Sequence, residues 1–142
     1  MDTLTYVYDQ SLIPGAEQAI KVCLNVQPDQ RVFILTDRKT LPVGASLYDV
    51  AKNVAKSCKL MIIEDHVARP AQKLPQVIMD ELEQCEVCLY CVKPQPNELG
   101  HRQQFVGKVE ANGIRYAHMV GITEEIMEIA LGQAHEARLH IL

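Results

Sequence analysis

The residues best placed to do chemistry follow two apolar segments of the sequence. Thr36, Asp37, Arg38 and Lys39 come directly after one segment, and Lys93 follows another. A hydroxyl, a carboxylate and three cations could together bind an anionic ligand or substrate. Ordinary solvent-exposed loops carry the same residue types, so this set is functional only if the fold brings its members together.

A cysteine run offers a different chemistry. Cys85, Cys88 and Cys91 have a C-x2-C-x2-C spacing that resembles an iron–sulfur run, but Gln95 stands where the fourth cysteine would be. The segment is typical of a buried strand, in which Cys88 and Cys91 would point to opposite faces. We therefore expect these thiols to be small apolar core groups, and no cluster.

Metal and nucleophile patterns are equally sparse. Glu64, Asp65 and His66 are consecutive, but in an extended segment at most Glu64 and His66 share a side, and a metal site normally needs three or four ligands. The other histidines stand alone: His101, His118, His135 and His140. The sequence has no H-E-x-x-H, G-x-S-x-G, G-x-G-x-x-G or P-loop motif. It therefore assigns no catalytic residue and no metal ligand.

Composition limits the class of protein further. The chain has 142 residues, of which 48% are hydrophobic and 23% charged, as expected of one globular domain. A net charge of −4 argues against nucleic acid as a partner, and no apolar run approaches the 18 residues of a membrane span. The first residues do not resemble a signal peptide, and the five cysteines are an odd number. We expect a cytoplasmic protein with no membrane partner.

Apolar runs and turn signals alternate along the chain. The runs predict four strands: 31–36, 59–64, 85–92 and 114–120. Helical spacing predicts five helices: 14–26, 42–57, a third around 74–82, a fourth from an Asn97 cap to Asn112-Gly113, and a fifth capped by Thr123.

Alternating apolar strands and helices predict a three-layer α/β/α fold with a mostly parallel four-stranded sheet, Rossmann- or flavodoxin-like. We predict one domain over 1–142, with an N-terminal arm over 1–13, and the strand order 2-1-3-4. Ligands of such sheets bind beyond the carboxyl ends of the strands, where the strand order reverses. That point lies between strands one and three, so Thr36, Asp37, Arg38, Lys39 and Lys93 would form one ligand-binding crevice.

Two stretches have a recognisable pattern. Residues 25–37, N-V-Q-P-D-Q-R-V-F-I-L-T-D, resemble L-x-V-x-P-G-E-x-V-L-I-x-T-D, and residues 113–127 resemble G-x-R-x-x-x-M-P-G-I-T-E-E-M, with Val120 in place of the proline. Both patterns are those of metal-dependent leucyl aminopeptidases of the aminopeptidase T type. The resemblance covers about residues 14–138, and G-I-T-E-E is its most distinctive part.

The resemblance implies the amino-terminal α/β domain of such a protein. In that family a two-metal peptidase centre of Glu, His, Tyr and Asp side chains belongs to a later domain. A zinc or cobalt ion would therefore be held downstream, with no cofactor and no catalytic residue in these 142 residues. The ending at 138–142, inside or just after a helix, predicts a fragment of a longer protein or a separately encoded domain.

Three functions remain open from the sequence. The first is a non-catalytic domain that helps to form a substrate cleft or a dimer. The second is a separate module that binds a small anionic ligand in the crevice. The third is a homo-oligomeric assembly protein, built through the last helix and the apolar N-terminal residues: Leu4, Tyr6, Val7 and Tyr8.

Overall fold

A four-stranded sheet forms the centre of the molecule. The structure, a computed structural model, describes residues 6–119 and 121–132, with the side chain of Ala130 left aside. The strands are β1 (Arg31–Thr36), β2 (Ser57–Ile62), β3 (Val87–Tyr90) and β4 (Arg115–His118). They pair in parallel in the order β2-β1-β3-β4. The predicted fold class and strand order are confirmed.

Helices cover both faces of this sheet. They are α1 (Ile13–Glu17), α2 (Leu41–Ala51), α3 (Gln76–Gln84), α4 (Leu99–Ala111) and α5 (Glu124–Ile126). A 3-10 turn (Gln10–Leu12) precedes α1, and π-helical turns follow α1 (Gln18–Cys23) and α5 (Met127–Leu131). No helix in the described ranges is long and apolar enough to cross a bilayer.

The core consists of two layers separated by the sheet. Val32 and Ile34 of β1 pack towards α1, α2 and the turn after α5, whereas Phe33 and Leu35 pack towards α3 and α4. A strand covered on both faces needs apolar residues at every position, which explains the continuous apolar run. Cys88 and Cys91 belong to opposite layers, as predicted, and burial raises the pKa of Cys91 to about 12.

Element boundaries differ from prediction where strand pairing or capping decides them. β2 pairs residue by residue with the six residues of β1, from Arg31 with Ser57 to Thr36 with Ile62. Because β1 offers no further partner, β2 ends at Ile62, and Glu64 lies in a 3-10 turn (Ile63–Asp65) rather than in the strand. The prediction that Glu64 and His66 lie on the same side of a strand is therefore wrong.

The starts of two helical segments also differ from prediction. The first helical segment begins at Gln10, because the Asp9 side chain accepts a hydrogen bond from the Ser11 N–H at 2.9 Å. The predicted Asn97 cap is wrong: Asn97 has a left-handed φ of 67° and Glu98 precedes α4. The Glu98 side chain does not cap the helix, because its carboxylate accepts hydrogen bonds from Arg69.

Candidate functional site

One arginine organises the edge where the parallel strands end. Arg69 lies in the segment between β2 and α3, and its side chain is only 7% exposed. Its Nη1 donates to Asp37 Oδ2 at 3.1 Å and to Glu64 Oε2 at 3.0 Å. Asp37 follows β1 and Glu64 follows β2, so this one nitrogen joins the ends of two neighbouring strands.

The rest of the same guanidinium reaches β3 and α4. Arg69 Nε and Nη2 donate to the two carboxylate oxygens of Glu98, at 3.0 and 2.5 Å, and Nη2 also donates to the Lys93 carbonyl at 3.0 Å. The Glu98 side chain is 1% exposed. Paired, two-pronged hydrogen bonds of this kind give both strength and a fixed geometry. We call Arg69, Asp37, Glu64 and Glu98 the Arg69 network.

Asp37 is the most completely bonded carboxylate of this network. Oδ1 accepts from the Thr40 N–H at 2.8 Å and the Thr40 hydroxyl at 2.7 Å, and Oδ2 accepts from the Lys93 N–H at 2.7 Å as well as from Arg69. Burial raises the pKa of Asp37, but the hydrogen bonds from Thr40, Lys93 and Arg69 outweigh it and leave the pKa below its ordinary value. Asp37 is therefore ionised at neutral pH, as a structural anion.

Glu98 connects the Arg69 network to a buried pair of rings. Its Oε2 accepts from the Ala71 N–H at 2.9 Å, and the Ala71 carbonyl lies 2.7 Å from His101 Nδ1. Since a carbonyl only accepts, His101 Nδ1 carries the hydrogen, and Nε2 accepts from the Tyr90 hydroxyl at 2.7 Å. The segment after Arg69 is thus held on α4 through both backbone groups of Ala71.

A glycine allows this close approach of α4. A Cβ on Gly100 would lie 2.6 Å from the Gln72 carbonyl oxygen, closer than a real side chain can come. The position therefore requires glycine, and any substitution would push the segment after Arg69 away from α4.

The five crevice residues predicted from sequence separate into two groups. Thr36 and Asp37 are buried beneath the surface, and the Thr36 hydroxyl contacts that of Thr40 at 2.8 Å. Arg38 is exposed and pairs with Asp65, while its N–H donates to Glu64 Oε1 at 3.0 Å. Thr36, Asp37 and Arg38 therefore belong to the framework around the edge.

Lys39 and Lys93 instead line a surface cavity of about 300 Å³. We call this cavity the crevice, and its lining is completed by two groups: Thr40 and Val43 at the start of α2, and Gly121, Ile122, Thr123 and Glu124 before and at the start of α5. Within residues 6–119 and 121–132, neither lysine forms an ion pair. Two cations are thus available at the point between β1 and β3 where the strand order reverses.

The wall formed by residues 121–124 is fixed by its own capping. Thr123 was predicted as the helix cap, and its hydroxyl accepts from the Ile126 N–H at 3.1 Å. Gly121 has a φ of 76°, which favours glycine and turns the chain from the sheet edge into the helix. This wall is the part of the sequence that carries G-I-T-E.

Sequence reasoning missed Arg69, Thr40 and Glu98 as members of this edge. No local pattern could have found them, because Arg69 lies 32 residues from Asp37 and 29 residues from Glu98 in the chain. In the described part of the chain, no three His, Cys, Asp or Glu side chains are grouped to hold a metal ion. The carboxylates of Asp37, Glu64 and Glu98 pair with Arg69, and that of Asp65 pairs with Arg38.

Comparison with known proteins gives little. No protein-family model matches the sequence, and no curated protein matches it. Among solved structures, wild-type AmpT from Thermus thermophilus is similar, with a TM-score of 0.49 and 16% sequence identity over 89% of this chain and 42% of the AmpT chain. The chain therefore spans less than half the length of that structure, and a likeness this distant carries no argument about activity.

Proposed function

We propose that this chain is a non-catalytic α/β domain of an aminopeptidase-like protein, in which the crevice forms one wall of a substrate cleft. One observation carries the proposal. The most distinctive part of the resemblance to aminopeptidase T-type proteins, Gly121 to Glu124, lines the crevice opposite Lys39 and Lys93. The motif and the two lysines thus line the same cavity, at the edge where ligands of such sheets bind.

The Arg69 network supports a framework role for the buried acids. Asp37 and Glu98 have pKa values below their ordinary values, and their oxygens accept bonds from Arg69 and backbone N–H groups. A general base near neutral pH needs a raised carboxyl pKa and an accessible oxygen, and these carboxylates have neither. We expect any zinc or cobalt peptidase centre to be supplied by another domain.

A peptidase assay tests the non-catalytic part of this proposal. We expect the purified chain to release no leucine from leucine p-nitroanilide with added cobalt or zinc. A chelator serves as the control for trace metal. Metal-dependent release that copurifies with the chain would contradict the proposal.

Peptide binding tests the cleft. We expect a leucine dipeptide to perturb the amide NMR signals of Gly121 and Thr123, and Lys93→Met to weaken that binding. Lys73→Met is the matched control, because Lys73 is an exposed lysine outside the crevice. Equal binding by both variants would show that the crevice is not the peptide site.

A separate small-anion-binding module is the second candidate. It is favoured by two lysines that line a cavity of about 300 Å³ and form no ion pair with any residue that the structure describes. An anionic metabolite that binds the folded chain raises its apparent stability. We expect a thermal shift with at least one anionic metabolite that Lys93→Ala removes. No shift across a broad panel would contradict this candidate.

An assembly role is supported by exposed apolar side chains at the last helix. Ile126 and Ile129 are 45% and 48% exposed, and Val7, near the chain start, is 94% exposed. Leu4, also predicted for this surface, lies outside the described residues. We propose a homodimer through this side, and light scattering showing a monomer at high concentration would exclude it.

A further inference from the structure

Arg102 lies in the first half of α4, and its side chain is half-buried. Its Nε is fully buried and has no hydrogen-bond partner in the part of the chain that the structure describes. Within residues 6–119 and 121–132 its guanidinium forms no ion pair, because the carboxylate one turn earlier, Glu98, is held by Arg69 and the Ala71 N–H. Buried polar atoms are rarely left unsatisfied, so this one requires an explanation.

Aromatic rings flank the histidine whose pKa is lowered by the charge of Arg102. His118 ends β4, and its ring lies 4.9 Å from the Tyr90 ring and 6.2 Å from the Phe105 ring, between centroids. Burial lowers the pKa of His118, and the positive charge of Arg102 lowers it further. His118 is therefore neutral near pH 7 and can donate one ring N–H without adding charge.

This position differs from the crevice. Tyr90 and Phe105 belong to the core layer under α3 and α4, whereas Val43 of the crevice belongs to the layer under α1 and α2. The two groups of residues lie on opposite faces of the sheet, at the same end of its strands. An inference about Arg102 therefore does not depend on the proposed function of the crevice.

We infer that Arg102, with His118 beside it, anchors a binding position for an oxyanion, a carboxylate or a phosphate group, on the α4 face of the sheet edge. A guanidinium presents parallel N–H donors that match two oxygens of such a group. An oxyanion at the half-buried guanidinium would neutralise its charge. An apolar ligand would leave that charge uncompensated, and a cation would be repelled.

Inorganic phosphate is the first probe, because it is an oxyanion with no further group that could bind elsewhere on the surface. We expect phosphate, but not chloride at equal ionic strength, to shift the His118 ring signals in NMR and to raise the pKa of His118, because the charge of Arg102 is neutralised. Arg102→Met should weaken the phosphate response at least tenfold. The control variants Lys73→Met and Lys39→Met/Lys93→Met should keep it.

The oxyanion could instead be a carboxylate of a second copy of this chain. In that case phosphate has no effect on the isolated chain, but light scattering shows self-association that Arg102→Met weakens and Lys73→Met does not. If Arg102→Met fails to fold, Arg102→Lys keeps the charge without the paired donors and should weaken either response. The inference is overturned if wild type shows neither a phosphate-specific His118 shift nor self-association, or if the response survives in a folded Arg102 variant.

Discussion

Arg69 and Arg102 lie at the same end of the sheet and have opposite surroundings. Arg69 makes five side-chain hydrogen bonds, to three carboxylates and one carbonyl. Among the described residues, the buried Nε of Arg102 has no hydrogen-bond partner. The difference separates two uses of a cation: Arg69 is part of the framework that holds the loops, and Arg102 is left with unused donors.

The contrast also bears on the stability of the folded chain. Removing one member of a buried ion pair costs far more than the pair is worth, because the remaining charge stays buried and uncompensated. Removing an unpaired cation leaves no uncompensated buried charge behind. We therefore expect substitutions of the two arginines to have very different effects on stability.

The largest effect is expected for Arg69→Met. Asp37 and Glu98 would lose their counterion while still 1% exposed, which should cost about 3–5 kcal/mol of unfolding free energy. Urea unfolding followed by circular dichroism measures it. Arg38→Met is the control, because the Arg38–Asp65 pair is exposed and worth about 0–1 kcal/mol. Similar losses in the two variants would break the comparison.

Acid titration tests whether the network carboxylates are ionised. The folded pKa values of Asp37 and Glu98 lie below their ordinary values of 3.8 and 4.5, so an unfolded chain takes up protons first as pH falls. Their contribution is complete above pH 4.5 and is lost as pH falls through the folded values, by about 1.4 kcal/mol per pKa unit. Asp37→Asn should show a shallower loss of unfolding free energy below pH 4.5 than wild type. An unchanged slope would contradict a lowered Asp37 pKa.

Tyr90→Phe tests the buried contact between Tyr90 and His101. The substitution removes the hydroxyl that His101 Nε2 accepts from at 2.7 Å, leaving a buried acceptor unsatisfied at a cost of about 1–3 kcal/mol. Tyr116→Phe is the matched control, since its hydroxyl makes only an exposed 3.4 Å contact to Glu110. We expect the control to stay within about 0.5 kcal/mol of wild type in chemical unfolding.

Arg102→Met should have the smallest effect and the opposite sign. Methionine keeps an apolar stem and removes the unsatisfied Nε, so the free chain should be unchanged or stabilised by up to about 1 kcal/mol. The midpoint of urea unfolding in phosphate-free buffer measures this. A marked loss of stability would reveal a bond that Arg102 makes in the folded chain, and the two arginines would then be alike.

Sequence patterns predicted the sheet and its strand order, but not the hydrogen bonds that join the loops at its edge. Continuous apolar runs such as β1 specify a strand covered on both faces, and the strand order then puts Asp37 and Lys93 side by side. Arg69 could not be assigned in the same way, since its partners Asp37 and Glu98 are 32 and 29 residues away in the chain. The predicted Asn97 cap failed for a related reason: a long-range carboxylate contact, invisible in the local sequence, sets where α4 begins.

The backbone N–H groups of Thr40 and Lys93 donate to the Asp37 carboxylate, and that of Ala71 donates to the Glu98 carboxylate. Both carboxylates are bonded to the same Arg69 guanidinium. Three loops that are distant in the chain therefore cannot open independently of one another. Their amides should exchange with deuterium as a single cooperative unit, at one common opening free energy. A loop graft or insertion at this edge would have to preserve that unit, whereas the exposed turn at residues 27–29 carries no such constraint.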